Sequence, residues 1–183
     1  MKRSGFSLIE LIMAIVLVAI LAAVLSPMIF KGGATVNLGA AARKLGDDIR
    51  YAQALAMARH KLPTPSSIPN PSFRYRMEFD TGTDTYTIVN DADNDDDWGE
   101  AGESVKNPST GENSFSVQLN SGEYAGIEIT PGGFGDSYLE FDTFGAPYGS
   151  GGKLTAPASL TLTASGETAT ITVTPATGKV TVQ

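Results

Sequence analysis

The sequence predicts an α+β protein: a long N-terminal α-helix, first membrane-spanning and then amphipathic, packed on an antiparallel, β-rich head. Three features of the 183-residue chain carry this prediction. An apolar run fills most of the first thirty residues, and apolar residues then recur at helical spacing up to about residue 62. Beyond residue 63, apolar and polar residues alternate in short runs between Gly, Pro and Asp-rich turns, as half-buried strands require.

The apolar run is long enough to cross a membrane. Leu11–Leu25 is uninterrupted, and the segment as a whole extends over residues 6–30. A membrane-spanning helix needs about 20 mostly apolar residues. Lys2 and Arg3 precede the run, and basic residues tend to stay on the cytoplasmic side, so the head is expected on the opposite side. No small-residue cleavage site follows Leu25, so the segment is expected to be retained.

Glu10 is the one carboxylate inside this apolar segment. A carboxylate at membrane depth costs roughly 2.5–3.5 kcal/mol on insertion scales, and less near the end of the span. An unpaired Glu10 therefore suggests a function. The alternative is that Glu10 lies at the membrane interface and reaches water.

The helix is predicted to continue over residues 31–62 in amphipathic form, with Pro63 ending it and beginning the head, residues 63–183. Its apolar face contains Leu38, Leu45, Ile49, Ala52, Leu55 and Ala56. Its other sides carry Arg43, Lys44, Asp47, Asp48, Arg50 and Gln53. Pro27 and Gly32-Gly33 weaken the helix, which predicts either a break between two helices or a segment that stretches on assembly.

Alternation predicts the strands of the head. Phe73–Phe79 and Thr85–Asn90 form a hairpin around the turn at residues 80–84. Later strands are predicted at Phe115–Leu119, Ala125–Thr130, Tyr138–Phe141, Ser159–Ala164, Thr168–Thr174 and Lys179–Gln183. Their spacing favours antiparallel pairing over βαβ units.

Composition narrows the possible functions. The chain has no cysteine, which excludes disulfides and thiolate chemistry, and its net charge of −7 does not favour nucleic acid. His60 is the sole histidine and is expected at the surface of the helix end. No nucleophile elbow, phosphate loop or histidine-rich metal motif occurs, so no catalytic residue is predicted. A tethered enzyme would need a deep cleft with two facing acids.

An acidic stretch between early head strands could bind calcium. Asp91, Asp93, Asp95, Asp97 and Glu103 supply the hard carboxylate oxygens that Ca²⁺ prefers, and no other cofactor is indicated. The stretch is not an EF-hand, because Asp96 and Gly102 occupy the sixth and twelfth places. The alternative is a solvated acidic loop. Trp98, the only tryptophan, is expected to pack or to lie at a subunit contact.

Gly5-Phe6-Ser7-Leu8-Ile9-Glu10-Leu11 resembles the class III signal of type IV pilins and type II secretion pseudopilins. The resemblance implies that residues 1–5 are a leader, removed by a prepilin peptidase that cuts between Gly5 and Phe6 and methylates Phe6. It also implies that Glu10 pairs with the N-terminal amine of a neighbouring subunit during assembly.

Further stretches resemble GspH/FimT-like minor pseudopilins: the helix over residues 45–59, the acidic turn at 90–103, and the closing strands at 141–147 and 171–180. Some proteins of this group bind DNA through arginines near a C-terminal Gly-Arg pattern. This chain has Gly178-Lys179 there, so nucleic acid is not expected as a partner. The missing cysteines also depart from the many pilins that carry a C-terminal disulfide.

The resemblance implies a non-enzymatic structural subunit of a type II secretion pseudopilus or type IV pilus, most simply a minor one. The alternatives are a minor pilin whose head binds DNA or another ligand, and a major pilin. The implied partners are other pilin or pseudopilin subunits, the prepilin peptidase and an inner-membrane assembly platform. The implied location is the bacterial inner membrane, crossed once, with the head in the periplasm.

Overall fold

The computed structural model describes residues 8–58, 75–92, 98–135 and 137–183, with side chains described throughout except at 24–36. A single helix, α1, runs over Leu8–Ala58. It passes Pro27 and Gly32-Gly33 as continuous α-helix, so the predicted break between two helices is not present. Residues 59–62, assigned to the helix from sequence, lie outside the described ranges.

No helix in the described part of the chain combines the length and apolar character needed to cross a membrane. The span over residues 6–30 stays a prediction.

Within the described ranges, ten strands follow α1. They are β1 Tyr75–Asp80, β2 Thr85–Asn90, β3 Phe115–Gln118, β4 Glu128–Gly132, β5 Tyr138–Phe141, β6 Pro147–Gly149, β7 Gly152–Lys153, β8 Ala158–Ala164, β9 Glu167–Val173 and β10 Val180–Val182. They form a six-stranded sheet in the order β3-β2-β1-β5-β6-β7 and a four-stranded sheet in the order β10-β9-β8-β4. Every pairing between these strands is antiparallel, as the sequence predicts.

Apart from shifts of one residue at the ends of several strands, the strand predictions differ from the structure at two places. The strand predicted at Ala125–Thr130 begins only at Glu128, because a 3₁₀ turn occupies Gly122–Tyr124 and Gly126 has a left-handed backbone (φ 82°). The short strands β6 and β7 were not predicted, since Pro147, Gly149 and Gly152 are poor strand formers and gain their place only by pairing with β5 and each other. Residues 73 and 74 of the first predicted strand lie outside the described ranges.

The core lies where α1 packs on both sheets. The predicted apolar face is confirmed: Leu38, Leu45, Ile49, Ala52 and Ala56 are buried, and Leu55 packs against them. They meet the inward-facing residues of the strands, including Met77, Tyr86, Phe141, Leu160 and Ile171. The prediction was wrong for one residue that it placed on the polar side of the helix. Asp48 is buried, because it lies at the border of the apolar face and finds polar partners inside the head.

Candidate assembly site

The N-terminal part of α1 extends away from the head with its side chains uncovered. Every residue from Leu8 to Ala23 is exposed, whereas Leu38 is the first buried residue among the side chains that the structure describes. At 1.5 Å per residue, Leu8 is about 45 Å along the helix axis from Leu38. The exposed large apolar side chains in this segment are Leu8, Ile9, Leu11, Ile12, Met13, Ile15, Val16, Leu17, Val18, Ile20 and Leu21. A continuous apolar surface of this length marks a site of association with protein or lipid.

Glu10 interrupts that apolar surface. It lies in the first described turn of α1 and is exposed, with apolar neighbours one turn away at Met13 and Ala14. A helix N-terminus favours a negative charge close to it. Gly5 and Phe6, the predicted processing residues, lie outside the described ranges. The chain by itself therefore leaves Glu10 on an apolar surface that another molecule would desolvate.

A buried ionic network holds α1 against the six-stranded sheet. The Tyr86 hydroxyl donates to Asp48 Oδ2 over 2.6 Å, and Lys44 Nζ donates to the two Asp48 oxygens over 3.1 and 2.8 Å. Burial, followed by the charge of Asp48 and its hydrogen bond, raises the pKa of Tyr86 far above its usual value. Tyr86 therefore remains a neutral donor, and the network fixes the rotation of α1 on the sheet.

A second set of contacts joins α1 to the C-terminal part of the chain. Arg50 Nη2 donates to the carbonyl of Val180 over 3.0 Å. Gln53 Nε2 donates to the carbonyls of Gly145 and Thr177 over 2.8 and 3.0 Å. These contacts prevent α1 from sliding along the head. A helix that carries an exposed association surface at its other end needs such a fixed position.

The acidic stretch is described only in part. Asp91 and Glu103 are buried, whereas Asp93, Asp95 and Asp97 lie outside the described ranges. Glu103 Oε1 accepts the N–H of Ala92 over 2.8 Å, and its Oε2 accepts the N–H groups of Gly99 and Glu100 over 2.9 and 3.1 Å. Glu103 thus closes the base of the loop. Among the residues with described positions, no cluster of three or more acidic or histidine side chains could hold a metal ion.

Trp98 packs on the outer face of the six-stranded sheet. The Arg76 guanidinium lies between the rings of Trp98 and Tyr138, 4.0 and 4.1 Å from their centroids. Arg76 also forms an ion pair with buried Glu140, at 2.5 Å. Trp98 was predicted either to pack within the head or to lie at a subunit contact, and the structure shows that it packs within the head. The sequence does not predict the pair of Arg76 and Glu140, because it depends on the register of β1 against β5, which only the structure gives.

A cavity of about 370 Å³ on the same sheet is lined by Glu78 and Asp80 among other residues. Its two carboxylates, Glu78 and Asp80, are not arranged as a catalytic acid–base pair. Hydrogen bonds from the Thr83 hydroxyl and the Gly82 N–H lower the pKa of Asp80, and Glu78 lies 3.7 Å from Arg76. Both carboxylates have structural partners, so this cavity gives the enzyme reading no support. His60 lies outside the described ranges, and Lys179 is exposed.

Comparison with known proteins agrees with this architecture. The prokaryotic N-terminal methylation motif matches residues 1–26. The fold is similar to that of the minor pseudopilin EpsH from the type 2 secretion system of Vibrio cholerae, with a TM-score of 0.51 and 12% sequence identity, covering 80% of this chain and 96% of that one. No curated protein matches the sequence. The fold is therefore that of pilin-like proteins. The chain thus combines a prokaryotic N-terminal methylation motif with a fold similar to that of a minor pseudopilin.

Proposed function

We propose that the chain is a structural subunit, specifically a minor one, of a type II secretion pseudopilus or type IV pilus. The observation that carries this proposal is the uncovered apolar surface of Leu8–Ala23 on a helix held firmly by the head. Packing such segments side by side in a filament removes the apolar surface from water. The similarity to a minor pseudopilin supports a minor role over that of a major pilin.

The remaining steps of this proposal follow from the N-terminal motif. A prepilin peptidase cuts between Gly5 and Phe6 and methylates Phe6, and residues 6–30 hold the subunit in the inner membrane until the assembly platform incorporates it. The head then lies in the periplasm. Glu10 pairs with the positive amine of a neighbour's Phe6, because a carboxylate inside an apolar bundle requires an opposite charge.

Glu10→Ala tests this function directly. The variant should enter the membrane as well as the wild type, because removing the charge favours insertion, but its incorporation into filaments should fall about tenfold or more, as loss of a pairing worth about 1.4 kcal/mol or more predicts. The measurement is the amount of the chain in sheared filaments relative to the membrane fraction. Glu128→Ala, which removes an exposed carboxylate of β4, is the matched control and should behave as wild type. Normal incorporation of Glu10→Ala would contradict the proposed role.

A further inference from the structure

The two sheets have four edge strands: β3 and β7 in the larger sheet, β4 and β10 in the smaller. An edge strand with free peptide groups can pair with a strand of another chain, so folded proteins usually cover, shorten or interrupt their edges. Three of these four edges are closed in this way.

The edge of β4 offers no outward donor. The N–H of Ile129 points away from β8 and donates to Asp84 Oδ1 over 3.0 Å. Pro131, which faces the same way two residues later, has no N–H. Asp84 adopts a left-handed backbone (φ 52°) where it makes this contact, and it also accepts from Asn120. The turn between β1 and β2 thus blocks the edge of the second sheet.

The edges of β10 and β7 are closed differently. The outward carbonyl of Val180 in β10 accepts a hydrogen bond from Arg50 of α1. Val182 packs against Gly46 of α1 so closely that a Cβ added to Gly46 would lie 2.8 Å from Val182 Cγ2. Helix α1 therefore covers β10. β7 contains only Gly152–Lys153, which is too short to template a partner strand.

No described residue covers the edge of β3. The N–H of Leu119 donates to the carbonyl of Asp84 over 2.8 Å, which makes these two residues a hydrogen-bonded pair of the ladder with β2. Because such pairs alternate in an antiparallel ladder, Val117 bonds to β2 while the peptide groups of Ser116 and Gln118 point outward. Both residues are exposed, and within the described ranges neither backbone has a hydrogen-bond partner.

We infer that the outer edge of β3 binds an extended segment of a neighbouring, different filament protein, which adds to the six-stranded sheet as a further strand. The outward groups of Ser116 and Gln118 supply main-chain hydrogen bonds, and side-chain alternation supplies selectivity. Val117 is half-buried on the core side, so the residue opposite it should be apolar. The residues opposite Ser116 and Gln118 face solvent and should be polar.

The position of β3 connects this edge to the assembly surface. Phe115 stacks on Tyr51 of α1 with ring centroids 5.9 Å apart, so β3 lies along one flank of the assembly helix. A neighbour packed beside α1 is therefore close to the open edge. This step rests on the proposed function.

A second copy of the chain does not fit as a symmetric partner at this edge, and the neighbours of a minor subunit, as proposed above, are other filament proteins. Symmetric antiparallel pairing of two β3 edges places a two-fold axis perpendicular to the sheet. Because α1 lies on the face of that sheet, rotation about this axis makes α1 of the second copy run in the opposite direction. The two exposed apolar segments would then point in opposite directions, which a filament anchored in one membrane does not allow.

Amide hydrogen exchange on the full-length chain tests the inference. In detergent, the amides of Ser116 and Gln118 should exchange rapidly, whereas in purified filaments both should slow by about tenfold or more, as hydrogen-bonded amides do. The amide of Ile129, already bonded to Asp84, should be slow in both states. Rapid exchange of Ser116 and Gln118 in filaments that contain the chain would overturn the inference alone. Filaments without the chain would refute the proposed function, and the inference with it.

Paired substitutions separate strand addition from simple coverage of the surface. Ser116→Pro removes an outward N–H but no hydrogen bond to β2, and an edge strand tolerates proline, so the variant should reduce incorporation several-fold with the melting temperature unchanged. Ser116→Ala keeps the N–H and should match wild type. If Ser116→Pro melts lower, Gln118→Pro replaces it with the same expectation. Equal incorporation of the Pro and Ala variants would overturn the inference, as would dimerisation of the purified chain that Ser116→Pro abolishes.

Discussion

Single buried carboxylates determine much of the head's local geometry. Asp48 orients α1, Asp84 joins the two sheets, and Glu103 closes the acidic loop. Each accepts hydrogen bonds from groups distant in sequence or from backbone amides. Removing one such group leaves its buried partners unsatisfied, and that penalty exceeds the net value of the bond itself.

Asp48→Ala should lower the free energy of unfolding by about 1–3 kcal/mol, because it leaves the buried Tyr86 hydroxyl without its acceptor, whereas the partly exposed Lys44 ammonium can turn to water. Asp47→Ala, its neighbour on the exposed side, breaks only a surface pair with Arg50 and should cost at most about 1 kcal/mol. Denaturant unfolding of the detergent-solubilised chain, followed by Trp98 fluorescence, measures both. Equal losses in the two variants would show that the buried network does not stabilise the helix–head contact.

At the scale of elements, the C-terminal end of α1 packs tightly against the loops that contain Gly145 and Gly178, a contact that we call the packed joint. Gln53 bonds to two carbonyls there, and Gly178 holds a left-handed backbone (φ 62°) between Gln53 and the carbonyl of Gly145. A Cβ at Gly178 would lie 2.5 Å from that carbonyl oxygen. Glycine is thus required at this position both for its backbone conformation and for the space available.

Gly178→Ala should destabilise the protein more than Gly166→Ala. Both positions are left-handed, so each substitution carries about 1–2 kcal/mol of conformational cost. Only Gly178 adds a steric clash, since a Cβ at Gly166 meets nothing within 4 Å. Thermal unfolding of the two variants gives the difference directly. If Gly166→Ala proved as damaging as Gly178→Ala, the packed joint would not be the cause.

Calcium binding to the acidic loop is a separate prediction at this scale. Close carboxylates repel one another, and a divalent cation would relieve that repulsion. A ligand at a hundredfold excess over its Kd stabilises the folded state by roughly 2.7 kcal/mol, so the chain should melt several degrees higher in millimolar Ca²⁺ than in chelator. Asp93→Ala combined with Asp95→Ala should abolish the difference. Identical melting of the wild type in both buffers would identify a solvated acidic turn.

The whole molecule is an acidic head on a helix whose far end is apolar. The full chain carries a net charge of −7, and loss of Lys2 and Arg3 with the leader would take it to −9. In the proposed filament, such a charge would keep the heads apart and in solution while the apolar segments associate. The proposed filament subunit needs both properties: an apolar segment at one end of α1 and a charged head at the other.

Processing of the N-terminus is the prediction that concerns the whole chain. Protein isolated from its native host should begin at Phe6 and carry one N-methyl group, because the motif over residues 1–26 matches prokaryotic N-terminal methylation. Intact-mass measurement decides this, with a host lacking prepilin peptidase as the control. A mature chain that starts at Met1, or one cut near Ser26, would contradict membership of an assembled filament.

Local periodicity determined the parts of this protein that depend on near neighbours. The apolar face from Leu38 to Ala56, the hairpin of β1 and β2, and the strands β5, β8 and β9 all follow from side-chain spacing within one element. The N-terminal motif likewise needs no tertiary context.

Tertiary structure alone decided the features whose partners are distant in sequence. Asp48 is buried because Tyr86, on β2, reaches it, and β6 exists because β5 offers it a ladder. The same holds for the sheet edges: Asp84 and Arg50 close two of them, whereas no residue in the described ranges covers β3. Periodicity reports which face of an element is apolar, but the partner of a given group depends on how the chain brings distant elements together.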